Sequence, residues 1–156
     1  MRAAASVPRA TSGYDGGKKV PGRKRHIVVD SLGLPLAVVV TAAPVTDRDA
    51  ARTLLARLRE RFWRLTRVWA DGGYTGRLAH VAASAWRIAL MVVKRSNDTT
   101  GFVVPPKRWL VERTFAWRMR SRRLARDYEA RTDTAETMIL WSMTMVMSRR
   151  LTGRRC

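Results

Sequence analysis

The sequence predicts a mixed α/β domain in which a sheet is flanked by helices. A β-hairpin pattern near the amino terminus is followed by helical and strand patterns that alternate along the chain, which is typical of this class. A chain of 156 residues with 46% hydrophobic content can also bury one core. We therefore expect one globular unit.

The hairpin is predicted from two β-branched runs, HIVVD at 26–30 and PLAVVVTA at 35–42, which a short glycine-containing turn separates. The preceding residues 1–25 are rich in Gly, Ala, Ser and Lys/Arg, so we expect a basic loop or arm there. The domain itself would then span 26–151, and 152–156 would form a tail.

The rest of the chain alternates between helical periodicity and short apolar runs. Thr46 before the first helix, and Asp133 with Glu136 in the last, suggest capping residues. The predicted order is a helix at 47–63, a strand at 66–71, a helix at 76–86, a strand at 88–94, a helix at 106–120 and a last helix at 133–150. Only four strands are predicted, two in the hairpin and two as crossover strands. The sheet looks incomplete, because the inner edge of each of these pairs has no evident partner strand.

The net charge of +19 is spread along the chain and favours a polyanionic partner, DNA or RNA. The basic residues are mostly arginines, so the composition of a GC-rich genome is an alternative explanation. The single Cys156 excludes an internal disulfide framework, and no apolar run is long enough for a membrane span or a signal peptide. A cytoplasmic, nucleoid-associated protein without a membrane partner is expected.

Asp71 is the strongest candidate for chemistry, since it ends the buried run RVWAD and precedes Gly72-Gly73, and ligands gather at such strand ends. An Asp-Gly turn explains the same pattern equally well. Glu112 lies on the predicted helix 106–120 and could hold a divalent cation beside Asp71; a salt bridge to a neighbouring arginine is the simpler alternative.

Two basic segments, KKVPGRKRH at 18–26 and RMRSRRLAR at 118–126, are candidates for phosphate contacts, and a solvated charged surface is the alternative for both. His26 and His80 have no second ligand at a metal-binding spacing, and the six tryptophans are expected mostly on buried faces. The DNA-binding candidates are Lys18, Lys19, Arg23, Lys24, Arg25, Arg108, Arg113, Arg120, Arg122 and Arg123.

Three blocks of the sequence resemble bacterial insertion-sequence DDE transposases, in the order and spacing of that family. They are KKVPGRKRHIVVDSLGLPLAVVVTAAPVTDRD, VWADGGYTG and PKRWLVERTFAWRMRSRRLARDYE, and the likeness runs from about Ser12 to Arg150. It implies an RNase H-like mixed sheet and metal-dependent DNA cleavage and strand transfer at insertion-sequence ends. Asp71 and Glu112 would be the second and third catalytic carboxylates, holding Mg²⁺ or Mn²⁺, and Arg108 would match the arginine preceding the glutamate.

The resemblance also implies a departure. Family members carry an Asp-Ser/Thr-Gln-Ser block, with the first catalytic Asp, at the end of a central strand upstream of the part that RAAASVPRATSGYDGGKKV resembles. We expect this chain to lack that strand and to be inactive alone. Association with full-length transposase or a homo-oligomer is a possible arrangement; the alternative functions are a non-enzymatic basic nucleic-acid-binding protein and a relic that inhibits intact transposase.

Overall fold

The structure is a computed structural model that describes residues 4, 6–17, 19–74, 76–93, 108–119 and 121–153. Short 3-10 turns at Arg9–Thr11 and Gly72–Tyr74 accompany strands and helices that alternate as the sequence predicts. These elements are β1 Gly13–Asp15, β2 Val20–Val29, β3 Pro35–Ala42, α1 Asp47–Arg61, β4 Arg67–Asp71, α2 Arg77–Trp86, β5 Ala89–Val93, α3 Arg108–Met119, α4 Arg122–Ala125 and α5 Thr132–Leu151.

The predicted hairpin is confirmed, and it is longer than expected. β2 pairs antiparallel with β3 from Arg23 opposite Ala42 to Val29 opposite Pro35. The turn is closed by Asp30, whose Oδ1 accepts the backbone N–H groups of Leu32 and Leu34, both at 2.8 Å. The carboxylate of Asp30 is therefore used within the turn.

The prediction that residues 1–25 form only a loop is wrong for part of that range. β1 lies at Gly13–Asp15 and pairs with Val20–Gly22, so the basic run is largely a strand from Val20 onward. The basic residues of β2 pair with β3, from Arg23 opposite Ala42 to Arg25 opposite Val40, and charge alone did not reveal this pairing.

Helix α1 begins as predicted, because the Thr46 hydroxyl accepts the backbone N–H of Asp49 at 3.2 Å. Its apolar face, with Leu54, Leu55 and Leu58, packs against residues of β3, β4 and α2 in one buried cluster. Helix α1 thus packs against both the hairpin and β4. Burying an aliphatic side chain of this size contributes about 1.5–3 kcal/mol, which makes α1 a central stabilising element.

The other face of the hairpin packs on α5, where Ile139 and Ala135 contact the buried Val38 and Val40. The predicted capping role of Glu136 is wrong: its Oε1 accepts the backbone N–H of Val40 at 2.9 Å, and its Oε2 accepts Arg57 Nη1 at 2.5 Å. Glu136 therefore gives a hydrogen-bond partner to a backbone N–H at the outer edge of β3, which no strand covers among the described residues.

The strands form two sheets where the sequence suggested one incomplete sheet. One sheet has the order β1-β2-β3, and the other is the parallel pair β4-β5, joined by the crossover helix α2. The mixed α/β class is confirmed, whereas the RNase H-like assignment and the missing central strand stay predictions. No helix within the described parts of the chain is long and apolar enough to cross a membrane.

Candidate functional site

Asp71 lies at the carboxyl end of β4, where the strand turns into Gly72–Tyr74. It is exposed, and its Oδ1 accepts the backbone N–H of Gly73 at 3.1 Å. This is the strand-end position that the sequence predicted, with the carboxylate open to solvent. The same hydrogen bond forms the Asp-Gly turn that was the alternative explanation. The strand-end position and the turn therefore occur together.

A second carboxylate, that of Asp47, approaches the same turn. A Cβ placed on Gly73 would lie 3.3 Å from Asp71 Oδ1 and 3.6 Å from Asp47 Oδ2, so Gly73 lies between the two acids. Asp47 is the first residue of α1. The sequence reasoning missed it as a site residue, because an acid in the first turn of a helix is adequately explained by the helix dipole.

The charges of both acids affect the pKa of Tyr74. Burial, then the negative charge of Asp47, then that of Asp71 raise the pKa of Tyr74 to about 12. Negative charge disfavours the phenolate form, so both carboxylates act in the same direction as burial. Asp47 is in turn paired with Lys24, whose Nζ lies 3.3 Å from Asp47 Oδ1. We call Lys24, Asp47, Asp71, Gly73 and Tyr74 the Asp71 cluster.

Glu112 is exposed on α3, which docks against the hairpin turn. The Thr114 hydroxyl donates to the Gly33 carbonyl at 2.6 Å, and Arg113 Nη2 donates to the Leu32 carbonyl at 2.9 Å. Leu110 and Thr114 are buried against this turn, which directs Glu112, two positions from each, toward the outer side of the helix. The sharing of a cation by Asp71 and Glu112 stays a prediction.

Carboxylate oxygens suit Mg²⁺, which is commonly held by one or two carboxylates together with substrate phosphates. Asp71 and Asp47 supply such donors, although Lys24 offsets part of their charge. Within the described ranges, no group of three or more His, Cys, Asp or Glu residues could hold a metal ion. The donor set therefore fits a divalent cation in part and would need further oxygen ligands.

Arg23 was a predicted DNA contact, and the structure corrects this. Its side chain is 0% exposed, and its Nε donates to the Thr11 carbonyl at 2.7 Å. Its Nη atoms donate to the carbonyls of Glu129 and Ala130 at 2.8 and 2.7 Å and reach Asp127 Oδ2 at 3.4 Å. A guanidinium enclosed in this way cannot meet a phosphate, so Arg23 holds the 127–130 segment against β2.

The other basic residues of the same run differ in availability. Lys24 is 25% exposed and pairs with Asp47, while Arg25 is half-buried and donates through Nη1 to the Leu124 carbonyl at 2.9 Å. Burial, the largest influence, lowers the pKa of Arg25, and Asp127 opposes that effect. Lys19 is exposed and remains a candidate; Lys18 lies outside the described residues.

In the second basic segment, 118–126, two of the predicted DNA contacts are exposed. Arg122 is exposed, and the exposed Arg123 donates through Nη2 to Glu129 at 2.9 Å. Arg113 lies over two tryptophan rings, with its guanidinium carbon 4.5 Å from the centre of Trp109 and 4.9 Å from that of Trp117. The side chain of Arg108 and all of Arg120 lie outside the described part of the chain.

The expectation that the tryptophans are mostly buried is wrong. Trp63 is 68% exposed, Trp141 is 65% exposed, and Trp69 and Trp109 are about as exposed as they are buried. The core is instead aliphatic, built from Val, Leu, Ile and Ala. Apolar periodicity placed these rings on packed faces, but it cannot tell which faces find a partner element.

Comparison with known proteins identifies the family of this chain. Residues 3–147 match the family described as "Transposase DDE domain". A curated protein of Burkholderia cepacia, named "Putative transposase for insertion sequence element IS402", is 35% identical over 120 residues, which cover 72% of this chain and 56% of that protein. The chain thus spans about half the length of this curated relative. No solved structure matches it. Because the family match covers most of its length, the chain belongs to the transposase DDE domain family.

Proposed function

We propose that this chain supplies part of the centre that cleaves DNA and transfers strands at the ends of an insertion sequence. The observation that carries the proposal is the exposed carboxylate of Asp71 at the end of β4, with Asp47 beside it across Gly73. Glu112, exposed on α3, would be the further carboxylate of the same centre. The family membership supports this reaction class.

Asp71 and Glu112 would hold Mg²⁺ or Mn²⁺, which when bound supplies an activated oxygen nucleophile and stabilises the leaving oxygen. The Asp47–Lys24 pair would orient the turn that carries Asp71, since Lys24 also donates to the Val45 carbonyl at 3.0 Å and so fixes the start of α1. Lys19 and Arg122, both exposed, would contact DNA phosphates.

We further propose that the chain by itself has little or no transposase activity. The described residues hold no group of three metal-binding side chains, and a metal pair held by two carboxylates would be weakly bound. Among the described residues the two sheets share no strand pairing and are connected through α1, so a further strand could pair with a free sheet edge. Such a strand and carboxylate would come from another segment of a transposase.

Calorimetry with Mn²⁺ tests the site directly. The wild-type chain should bind the ion, Asp71→Asn and Glu112→Gln should each weaken binding at least tenfold, and Glu60→Gln, an exposed carboxylate on α1, should bind as wild type. Equal binding by all four proteins would contradict the proposed ligands. Strand transfer by the wild-type chain alone on DNA with insertion-sequence ends would contradict the proposed inactivity.

The second candidate is a non-enzymatic DNA-binding protein. The ion pair between Lys24 and Asp47 favours it, because the ammonium offsets charge that a cation would otherwise meet. In that case calorimetry would detect no metal binding in any variant, while duplex DNA would still bind with an affinity that falls as salt rises.

A further inference from the structure

A groove of about 430 Å³ lies between the end of α3 and the outer side of α5. Its lining includes Trp117, Trp141, Met145, Arg123 and Arg149. None of the residues of the Asp71 cluster takes part in it. The groove is therefore a separate feature of this chain.

The groove continues into a row of aromatic and basic side chains along α3. Trp109, Arg113 and Trp117 follow one another at four-residue spacing, with the Arg113 guanidinium over both rings. Eight residues of helix extend the row by about 12 Å. Trp141 on α5 is 65% exposed and gives the groove an open aromatic face. The result is a surface in which large rings alternate with guanidinium groups.

The aromatic rings and arginines of this surface indicate which class of ligand it can bind. Rings offer faces on which nucleobases stack, and the exposed Arg149 can attract a phosphate, whereas Arg123 is paired with Glu129. A second copy of this chain would bring another +19 charges to a basic surface, so self-association there is opposed. Duplex DNA keeps its bases stacked on one another, whereas a single strand presents both base faces and phosphates. Charge complementarity therefore favours a single-stranded polyanion with planar apolar groups.

We propose that the groove between α3 and α5 binds unpaired DNA, with a base stacked on Trp141 and a phosphate held by Arg149. This site goes beyond the proposed cleavage centre, because it lies on other residues and needs no metal ion. It gives the chain two ways of holding DNA: exposed basic residues for the duplex, and the groove for an unpaired strand.

Fluorescence anisotropy with a labelled oligothymidylate, in EDTA and at fixed salt, tests the proposal. Trp141→Ala should weaken binding by about five- to a hundredfold, the range seen when one stacked base loses its aromatic partner. Trp141→Phe should recover most of the affinity, since a phenyl ring still stacks. Arg149→Gln should lower the slope of affinity against salt by roughly 0.7, the value for one phosphate of a single strand.

Trp63→Ala is the matched control. Trp63 is 68% exposed and also has an arginine over its ring, Arg64 at 4.8 Å, but it lies at the end of α1 outside the groove. It should bind oligothymidylate as wild type does. Because both tryptophans are exposed, circular dichroism should show both variants folded.

The proposal is overturned if Trp141→Ala weakens binding no more than Trp63→Ala, or weakens a duplex as much as the single strand. It is equally overturned if sedimentation shows that wild type self-associates and Trp141→Ala does not, because the groove would then join two copies. The assay is run in EDTA, which keeps the proposed metal site empty, so failure of the metal site and failure of the groove are separate results.

Discussion

The buried guanidinium of Arg23 allows a quantitative test of the fold. Arg23→Met keeps much of the apolar stem and removes every donor that reaches Thr11, Asp127, Glu129 and Ala130. Asp127 is 1% exposed, and its Oδ1 has no hydrogen-bond partner among the described atoms. Removing Arg23 therefore leaves a buried carboxylate without its closest cation.

Loss of one partner from a buried ion pair typically costs about 3–5 kcal/mol. Domains of this size have a free energy of unfolding of about 5–15 kcal/mol, so the substitution should remove roughly a fifth or more of that stability. At about 2–4 °C per kcal/mol, the midpoint of thermal unfolding should fall by roughly 6–20 °C. Urea unfolding followed by tryptophan fluorescence measures the same loss as a lower midpoint concentration.

Arg122→Met is the matched control, since Arg122 is an exposed arginine and its replacement should change the free energy of unfolding by less than about 0.5 kcal/mol. Replacing Asp127 by Leu in the Arg23→Met background should recover part of the lost free energy of unfolding, because no buried carboxylate then remains without a cation. If Arg23→Met lowers DNA affinity while the unfolding midpoint stays at the wild-type value, Arg23 is a phosphate contact and the burial argument is refuted.

Four further outcomes follow from local geometry. Gly33→Ala should lower the free energy of unfolding by roughly 1–2 kcal/mol, because φ is 82° there and a Cβ would lie 3.1 Å from the Thr114 hydroxyl; a wild-type urea midpoint would contradict this. Glu136→Ala should cost about 1–3 kcal/mol by leaving the Val40 N–H unsatisfied, and an unchanged thermal midpoint would argue against that edge contact. With a pKa raised to about 12, Tyr74 keeps its proton in the fold after the unfolded chain loses it, so stability should decline from about pH 10 upward as the pH approaches about 12. Asp71→Asn should lower the pKa of Tyr74 in a spectrophotometric titration, and an unmoved titration would separate the two groups.

Local sequence patterns determined most of the secondary structure. The start of α1 at Thr46, the hairpin turn at Asp30 and the end of β4 at Asp71 all depend on interactions within a few residues, which a pattern contains. The same holds for α2 and α3, whose predicted ranges agree closely with the structure. The resemblance to DDE transposases, carried by blocks such as VWADGGYTG, is confirmed by the family match.

Which charged side chains face solvent could not be predicted from the sequence. Arg23, Lys24 and Arg25 are consecutive, yet one is buried, one pairs with Asp47 and one is half-buried. The partner of Arg23 is Asp127, 104 positions away. A buried charge is tolerated only where distant groups converge to satisfy it, and no local pattern records that convergence.

The amino-acid sequence by itself determined most of the elements, the strongly basic charge and the candidate carboxylates Asp71 and Glu112. Only the tertiary structure decided that Asp47 approaches Asp71 across Gly73, and that Trp141 remains open to solvent. The physical reason is range: hydrogen bonds of turns and helices join neighbours in the chain, whereas burial and charge pairing depend on which elements pack together.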